Sequence, residues 1–424
     1  MSFKIKLLPL LQTSFYFIPV SLIVGSLVVN LNVLIFLILG FFFLIKNKIK
    51  INFNSINITL LLFFLFVILT SLLNIKIIGV ENFIKSILLL KFFFIFILCE
   101  SLFLNNKLNL TIFCRVCLCL VVLISLDVSF QFFYGKNLLG FVPHEGRIAG
   151  IFGSEAIAGG FIQKFFIFSL IGVLTIAIAK SFNKNLFEIS FFLIVIFGSF
   201  VASNRMSFLI VFSSALFVLI FYQVFRKKLL VSLIIILPIF LIFYIFNADL
   251  NLKFKGFISK TEHLSARTLE ALNKKEDKKI TAYTNHAKIY ITTIKSFREN
   301  KIIGSGLKSF RFQCNNYIKE KNTICSNHPH NYHLEILHDT GIIGFSLITL
   351  FVILILFFKY KSLRPISTNY NVKIITSLII LNFMIEIFPL KSTGSLFSTW
   401  TGTILWISIA LLNYGNNYKN NEKI

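Results

Sequence analysis

Long apolar stretches recur along most of the chain, and they constrain the fold more than any other feature. Hydrophobic residues make up 56% of the 424 residues and charged residues only 14%. Soluble proteins average about 45–50% and about 25% for these classes. Because the excess apolar surface needs lipid to cover it, the sequence predicts an all-α integral membrane protein.

About twelve stretches approach the ~20-residue length that crosses the hydrocarbon core of a bilayer. They occupy residues 9–26, 29–45, 57–74, 85–104, 108–129, 154–179, 187–203, 206–224, 229–246, 331–358, 374–390 and 396–413. We therefore expect about twelve transmembrane helices joined by mostly short loops.

Lysine and arginine are concentrated in alternate loops, which predicts an even number of spans with both termini in the cytoplasm. Lys76, Lys136 and Lys391 are exceptions on the opposite side. The predicted division is spans 1–9 at residues 1–246, a large external loop at 247–329, and spans 10–12 with a cytoplasmic tail at 330–424. The net charge of +25 then fits basic cytoplasmic loops, so no nucleic-acid partner is expected.

The large loop contains an amphipathic helix and two cysteines. The segment "HAKIYITTIKSF" is expected to lie along the membrane surface or over a cavity. Its predicted apolar face consists of Ala287, Tyr290, Ile291, Ile294 and Phe297. An oxidising compartment favours a disulfide between Cys314 and Cys325, with two free thiols as the alternative.

Four histidines are grouped in "SNHPHNYHLEILHDTGIIGF" at the start of an apolar run. Asn327 or His328 is expected to cap a helix whose first turn contains Pro329 and His330. The positive end of the helix dipole disfavours an imidazolium there, which leaves a neutral imidazole suited to act as a general base. The alternative is that His330 only caps the helix.

Other residues of this segment each admit more than one role. Glu335, one turn after Asn331, is expected to bond to it, to orient a substrate hydroxyl, or to make a satisfied contact inside the bundle. Gly341 and Gly344 share a helix face, which lets a neighbouring helix approach closely. The four histidines lack a three-ligand zinc spacing such as H-E-x-x-H, so no metal is expected.

Arg147 and Arg205 stand at the external ends of predicted spans. Ionisable residues at membrane depth suggest function, and arginine binds phosphate through two parallel hydrogen bonds. For Arg205 the alternative is snorkelling to the interface. No Walker A or G-x-S-x-G sequence is present, so ATP-driven transport and serine hydrolysis have no support.

Several of these segments resemble the O-antigen ligase family of multi-spanning bacterial glycosyltransferases. His330-Asn331, nine further residues, and then Gly341-Ile-Ile-Gly344 match its histidine signature. "RIAGIFGS", "SNRMSFL" and "HAKIYITTIKSFRENKIIGSGLKSF" resemble three other blocks of the family in the same order. The resemblance extends over residues 146–345.

The resemblance implies a glycosyltransferase-C-like helical bundle in the bacterial inner membrane, with its active site facing the periplasm. Its members transfer a glycan from undecaprenyl diphosphate to lipid A core, with inversion and without a metal or other cofactor. By similarity His330 would activate the acceptor hydroxyl, and Arg205 would stabilise the departing diphosphate with help from Arg147. Membrane lipids would surround the bundle.

The chain departs from the family at one phosphate-binding position. His286 stands where members usually carry an arginine, and Lys288, Lys279 or Lys308 is expected to substitute. The alternative functions are an O-antigen or exopolysaccharide polymerase, acting on a growing glycan, and a protein O-oligosaccharyltransferase. A transporter of lipid-linked sugars is a different class, but it would be expected to show internal repeats, and none is evident.

The predicted topology places residue 330 outside the cytoplasm. A cysteine introduced at His330, in a variant whose native cysteines are replaced by serine, should react with a membrane-impermeant maleimide in intact spheroplasts. A cysteine at Lys361, in a predicted cytoplasmic loop, should react only after lysis. Labelling of residue 330 only after lysis would contradict the topology.

Overall fold

A computed structural model describes residues 7–51, 53–144, 147–176, 183–202, 204–246, 285–320, 323–363 and 370–414. All regular structure within these ranges is helical, apart from an isolated backbone bridge between His144 and Arg147. The predicted all-α class is confirmed for this part of the chain.

The helices in chain order are α1 Leu7–Tyr16, α2 Ile18–Val24, α3 Ser26–Lys46, α4 Ser55–Leu73, α5 Ile75–Leu88, α6 Leu90–Leu104, α7 Leu110–Tyr134, α8 Ala158–Ile176, α9 Lys184–Val201, α10 Arg205–Phe221, α11 Gln223–Phe246, α12 Asn285–Phe297, α13 Phe310–Gln313, α14 Tyr332–Leu363, α15 Tyr370–Glu386 and α16 Thr399–Tyr414. Short 3-10 helices cover Gly150–Phe152 and Cys314–Tyr317.

The long apolar helices support a multi-pass membrane protein. By length and composition, seven segments of the described ranges can cross a membrane, or eight if α1 and α2 form one span bent by 49°. Pro19 in the first turn of α2 accounts for part of this bend, because proline cannot continue the hydrogen bonds of a preceding helix. The full count of about twelve stays a prediction.

The chain forms two compact units. The first comprises Met1–Leu123, Gly160–Ala179 and Thr284–Ile424, and the second comprises Ile124–Gly159 and Lys180–Tyr283. In the first unit α14 packs on α4 and α16 packs on α6, while in the second α9, α10 and α11 pack on one another. Phenylalanine fills much of the first unit's core, with fully buried side chains at Phe15, Phe36, Phe63, Phe64, Phe92, Phe96, Phe103 and Phe113.

Helix α14 is broken at Gly341, where the backbone has φ 63° and ψ −167°. A Cβ atom on Gly341 would lie 2.3 Å from the carbonyl oxygen of Ile302 and 2.5 Å from the amide nitrogen of Gly304. Gly341 therefore meets a loop, and the predicted continuous face shared with Gly344 is wrong. Gly344 does approach a neighbouring helix, since a Cβ atom on Gly344 would lie 3.2 Å from the ring of Phe66 in α4.

The loop at residues 301–309 lies between α4 and α14 and forms backbone hydrogen bonds with the broken helix. Ser305 N donates to the carbonyl oxygen of His338 at 3.1 Å, and Lys308 N donates to Asp339 Oδ2 at 2.6 Å. On the other side, Leu307 N donates to Ser71 Oγ of α4 at 3.1 Å. These bonds satisfy non-helical backbone groups that would otherwise be buried without partners.

Replacing Gly341 with alanine should destabilise the first unit, because its left-handed backbone alone costs a non-glycine residue about 1–3 kcal/mol and the added Cβ displaces the loop. Thermal unfolding of the detergent-solubilised protein should show a lower midpoint. Gly160→Ala is the matched control, since a Cβ there meets nothing within 4 Å and alanine favours helix. An unchanged midpoint for Gly341→Ala would contradict this account.

Candidate functional site

His330 lies immediately before α14 and has a left-handed backbone with φ 57°. The helix begins at Tyr332, and Asn331 is its cap, since Asn331 Oδ1 accepts a hydrogen bond from Leu334 N at 3.1 Å. An asparagine in this position satisfies one of the free N–H groups of the first turn.

The predicted start of this helix was wrong. Asn327 or His328 was expected as the cap, with Pro329 and His330 in the first turn, whereas all four residues precede the helix. His330 donates its backbone N–H to His328 Nδ1 at 3.1 Å and has left-handed backbone geometry, so the helix does not begin before Asn331.

Two residues from distant segments form hydrogen bonds with the backbone carbonyl oxygen of His330. Thr393 N donates to the His330 carbonyl oxygen at 2.9 Å, and Tyr290 Oη donates to the same oxygen at 3.5 Å. A left-handed histidine is unfavourable by itself and persists only where the surroundings fix it. The position of the imidazole is therefore set by the packing of distant segments.

The His330 ring is in contact with two other histidines and a hydroxyl group. Its Nε2 lies 3.2 Å from Ser326 Oγ, and its ring centroid lies 5.2 Å from that of His286 and 4.1 Å from that of His328. Ser326 and His328 precede the ring in sequence, whereas His286 comes from the first turn of α12.

The electrostatics of this cluster favour uncharged imidazoles. Burial lowers the pKa of His330, the neighbouring His286 lowers it further, and a hydrogen bond to the Thr393 backbone opposes part of the effect. Burial, followed by the charges of His330 and Arg311, lowers the pKa of His328 to about 4. Because both values lie below the usual histidine value, His330 and His328 are neutral at pH 7.

The segment between α15 and α16 forms hydrogen bonds with the start of α14. Asn331 Nδ2 donates to the Pro389 carbonyl at 2.6 Å, and His333 Nε2 donates to the Ile387 carbonyl at 2.8 Å. Together with the bond from Thr393, these contacts fix residues 387–393 against His330. Asn331 thus supports the site by binding the backbone carbonyl of Pro389.

Glu335 continues this contact one turn into α14. Its carboxylate is 1% exposed and accepts hydrogen bonds from Ser395 Oγ at 2.5 Å and Leu396 N at 2.7 Å. Both oxygens are therefore occupied by the segment before α16. Of the roles expected for Glu335, the structure favours a satisfied contact inside the bundle.

A buried ion cluster lies at the end of α15 and was not singled out in the sequence. Glu386 Oε2 is 2.9 Å from Lys164 Nζ, and Glu386 Oε1 is 3.2 Å from Lys391 Nζ. Lys164 and Glu386 lie inside predicted spans, where an ionisable residue is by default a sign of function. Lys391 was an exception to the loop-charge pattern. These two sequence features, the ionisable residues inside spans and the exceptional lysine, could have identified the cluster.

The remaining histidine, His338, is structural. It is fully buried, with Nε2 2.9 Å from Ser296 Oγ and Nδ1 3.2 Å from Ser309 Oγ. It joins α12 and the 301–309 loop to α14. Within the ranges that the structure describes, no three His, Cys, Asp or Glu side chains are placed to hold a metal ion.

The amphipathic helix is present as α12, and the face that it buries in the protein is not its predicted apolar face. The buried side chains are Ile289, Thr292, Thr293 and Ser296, whereas Ile294 is 43% exposed. Polar groups face inward because they have partners there: Thr292 Oγ1, for example, accepts from Ile324 N at 3.1 Å. That the apolar face lies along the membrane surface or over a cavity stays a prediction.

A disulfide joins the last part of the loop to the site. Cys314 and Cys325 are bonded, with Cα atoms 5.1 Å apart. They pack with Ile289 of α12 and Phe310 of α13 in one small apolar cluster. The next residue after Cys325 is Ser326, so the crosslink holds the hydroxyl that contacts His330.

The two arginines predicted at the site belong to the second unit and are exposed. Arg205 is the first residue of α10, which Asn204 caps by accepting from Ser207 N at 3.2 Å. Arg147 exchanges two backbone hydrogen bonds with His144. His330, His286 and Lys288 belong to the first unit, and Lys279 lies outside the described residues. The roles predicted for the arginines stay predictions.

Comparison with known protein families agrees with the resemblance seen in the sequence. Residues 189–349 match the family described as O-antigen ligase. No curated protein matches the chain significantly. The matched region contains most of α9, all of α10 to α13 and the first half of α14, and therefore both His330 and Arg205.

The match supports a membrane-bound enzyme of the O-antigen ligase or polymerase type. Such enzymes are similar to glycosyltransferases and act on lipid-linked glycans.

The neutral state of His330 can be tested without an activity assay. Diethylpyrocarbonate reacts only with uncharged imidazole, so the modification rate of His330, measured by mass spectrometry, should fall only at pH values below 6.5, the ordinary histidine pKa. His286→Asn should move this fall to higher pH, because it removes a neighbour that lowers the pKa of His330. A midpoint at or above 6.5 in the unaltered protein would contradict the assignment.

Proposed function

We propose that this chain, which carries an O-antigen ligase domain at residues 189–349, is an O-antigen ligase of the bacterial inner membrane. It transfers a glycan from undecaprenyl diphosphate to lipid A core in the outer leaflet. The observation that supports this most directly is an uncharged His330 ring with a hydroxyl oxygen, Ser326 Oγ, 3.2 Å from Nε2.

His330 is the general base in this proposal. A carbonyl oxygen of Thr393 accepts from the ring, and the nitrogen that does not donate to it keeps a lone pair. The contact of Nε2 with Ser326 indicates that a hydroxyl can approach this nitrogen within hydrogen-bonding distance. The acceptor sugar hydroxyl would take the position of the Ser326 hydroxyl and give its proton to the ring.

Transfer then follows from the loss of this proton. The acceptor oxygen forms a bond to the anomeric carbon of the donor glycan while the bond from that carbon to the diphosphate oxygen breaks. Attack from the face opposite the leaving group inverts the configuration. Undecaprenyl diphosphate leaves with the electron pair and an added negative charge.

That negative charge requires cations at the leaving group. We assign Arg205 this role, with Arg147 assisting, because guanidinium groups bind phosphate through paired hydrogen bonds and act strongly where water is excluded. The proposal includes no metal ion and no cofactor. The domain match is the support for including Arg205, since it lies in the matched region.

Replacing His330 with glutamine should abolish ligation while leaving the protein folded. In cells that lack the native copy, lipid A core should then carry no O-antigen, and undecaprenyl-linked glycan should accumulate. Loss of a general base reduces such rates about 10²–10⁴-fold. Gel analysis of lipopolysaccharide and mass spectrometry of the lipid fraction measure both species.

His144→Gln is the control, since His144 is exposed and belongs to the second unit. It should leave lipopolysaccharide unchanged. Normal capped lipopolysaccharide from His330→Gln would exclude the proposed role. Single-unit caps in place of long chains would instead assign the chain to a polymerase, which extends a growing glycan from the same kind of donor.

A further inference from the structure

The 301–309 loop exposes a short apolar tip. Residues 304–309 are buried or half-buried, whereas Ile302 is 66% and Ile303 is 36% exposed within the described part of the chain. A single exposed isoleucine is ordinary on a protein surface. Two adjacent isoleucines at the tip of a loop that is otherwise packed need an explanation, because contact of such side chains with water is unfavourable.

The tip is bound to the backbone of α14 at its break. Gly341 interrupts the helical hydrogen-bond pattern, so the N–H groups that follow it can donate to another segment. Ile342 N donates to the Lys301 carbonyl oxygen at 2.8 Å, and Ile343 N donates to the Ile302 carbonyl oxygen at 3.2 Å. The side chains of Ile342 and Ile343 are also exposed, at 51% and 40%. Two exposed pairs of isoleucines therefore belong to backbone segments that are in direct contact.

The same break marks the point where α14 becomes suited to cross a membrane. Residues 332–340 include two histidines and two acidic residues, whereas residues 341–358 contain no charged residue and no histidine. In a helix this apolar run is about 27 Å long, which is close to the ~30 Å hydrocarbon core of a bilayer. The tip lies at the end of the run that is nearer to His330.

A second span places the loop at the same level. Helix α4 is long and apolar enough to cross a membrane, and it ends immediately before Asn74. Leu307 N of the loop donates to Ser71 Oγ in the last turn of α4 at 3.1 Å. Asn74 Nδ2 donates to the Gly304 carbonyl oxygen at 3.2 Å. Both α4 and α14 therefore place the loop at one boundary of the membrane.

Hydrogen bonds at the tip satisfy backbone groups that lipid could not satisfy. The Lys301 and Ile302 carbonyl oxygens accept from α14, and Gly304 N donates to the Asn300 carbonyl oxygen at 2.9 Å. Non-helical backbone at membrane depth requires such partners within the protein. The side chain of Lys301 is exposed, and a lysine at this boundary can extend its ammonium group to the lipid phosphates.

We propose that Ile302 and Ile303 are immersed in the bilayer leaflet on the side of His330, where they extend the lipid-facing surface of α14. Lys301 then meets the phosphate groups of the same leaflet. The proposal rests on α4 and α14 crossing the membrane and is independent of the proposed function. Lipid contact at the tip would hold the 301–309 loop against the break in α14.

Spin labels on single cysteines of the full chain in lipid nanodiscs measure the depth of the tip. The parent variant has alanine in place of its free cysteines and keeps the Cys314–Cys325 disulfide. Oxygen dissolves mainly in hydrocarbon and an uncharged nickel chelate stays in water, so the ratio of their collision rates with a label reports its depth. Labels at Ile302→Cys and Ile303→Cys should collide more often with oxygen than with the chelate, because apolar side chains favour the hydrocarbon.

Three further positions calibrate the measurement. Ile343→Cys, which is at the level of the tip on α14, should give a ratio similar to that of the tip. Leu350→Cys, near the middle of the apolar run and 46% exposed, should give a higher ratio of oxygen to chelate collisions. Lys319→Cys, at an exposed position after α13, should give the lowest ratio.

Three results would overturn the proposal. A ratio at residues 302 and 303 as low as that at residue 319 would place the tip in water. Protection of both labels from oxygen and from the chelate would show that protein covers the tip, either another part of this chain or a second copy. A lower unfolding midpoint in detergent for Ile302→Cys or Ile303→Cys than for the parent would show that these side chains pack inside the protein.

Discussion

The hydrogen bonding of non-helical backbone against α14 is the constraint on which the site depends. In a bundle of apolar helices, a buried irregular segment must find partners for its N–H and C=O groups within the protein. The 301–309 loop finds them at the break around Gly341. Residues 387–396 find them at the start of α14. His330 adjoins the second contact, since Thr393 N donates to its carbonyl oxygen.

This arrangement explains why the four histidines have different roles. His333 and His338 are used as hydrogen-bonding groups that join segments. His328 and His330 remain at the rim, half-buried and uncharged, because burial and neighbouring positive groups disfavour protonation. An imidazole that is neutral, half-buried and oriented by the backbone is suited to remove a proton from a hydroxyl.

The buried positive charges of the first unit have two different roles. The ammonium groups of Lys164 and Lys391 are satisfied by Glu386 and hold structure. Lys308 and Arg311 form no ion pair within the described residues. Their charges lower the pKa of His328 and so help to keep it neutral.

The sequence by itself indicated the all-α membrane class, the resemblance to a family and the location of the histidine cluster, because apolar length and short motifs are local signals. It also indicated helix α12, but not which face of α12 is buried. That face is set by hydrogen bonds to residues outside the helix, such as the bond from Ile324 N to Thr292 Oγ1. Only the tertiary structure decided the cap at Asn331, the break at Gly341 and the contact of Ser326 with His330. The break at Gly341 meets the loop around residues 301–306, and the turn at His330 that precedes the cap is held by Thr393 and Tyr290. These partners lie far away in the chain, and periodicity within one segment carries no information about them.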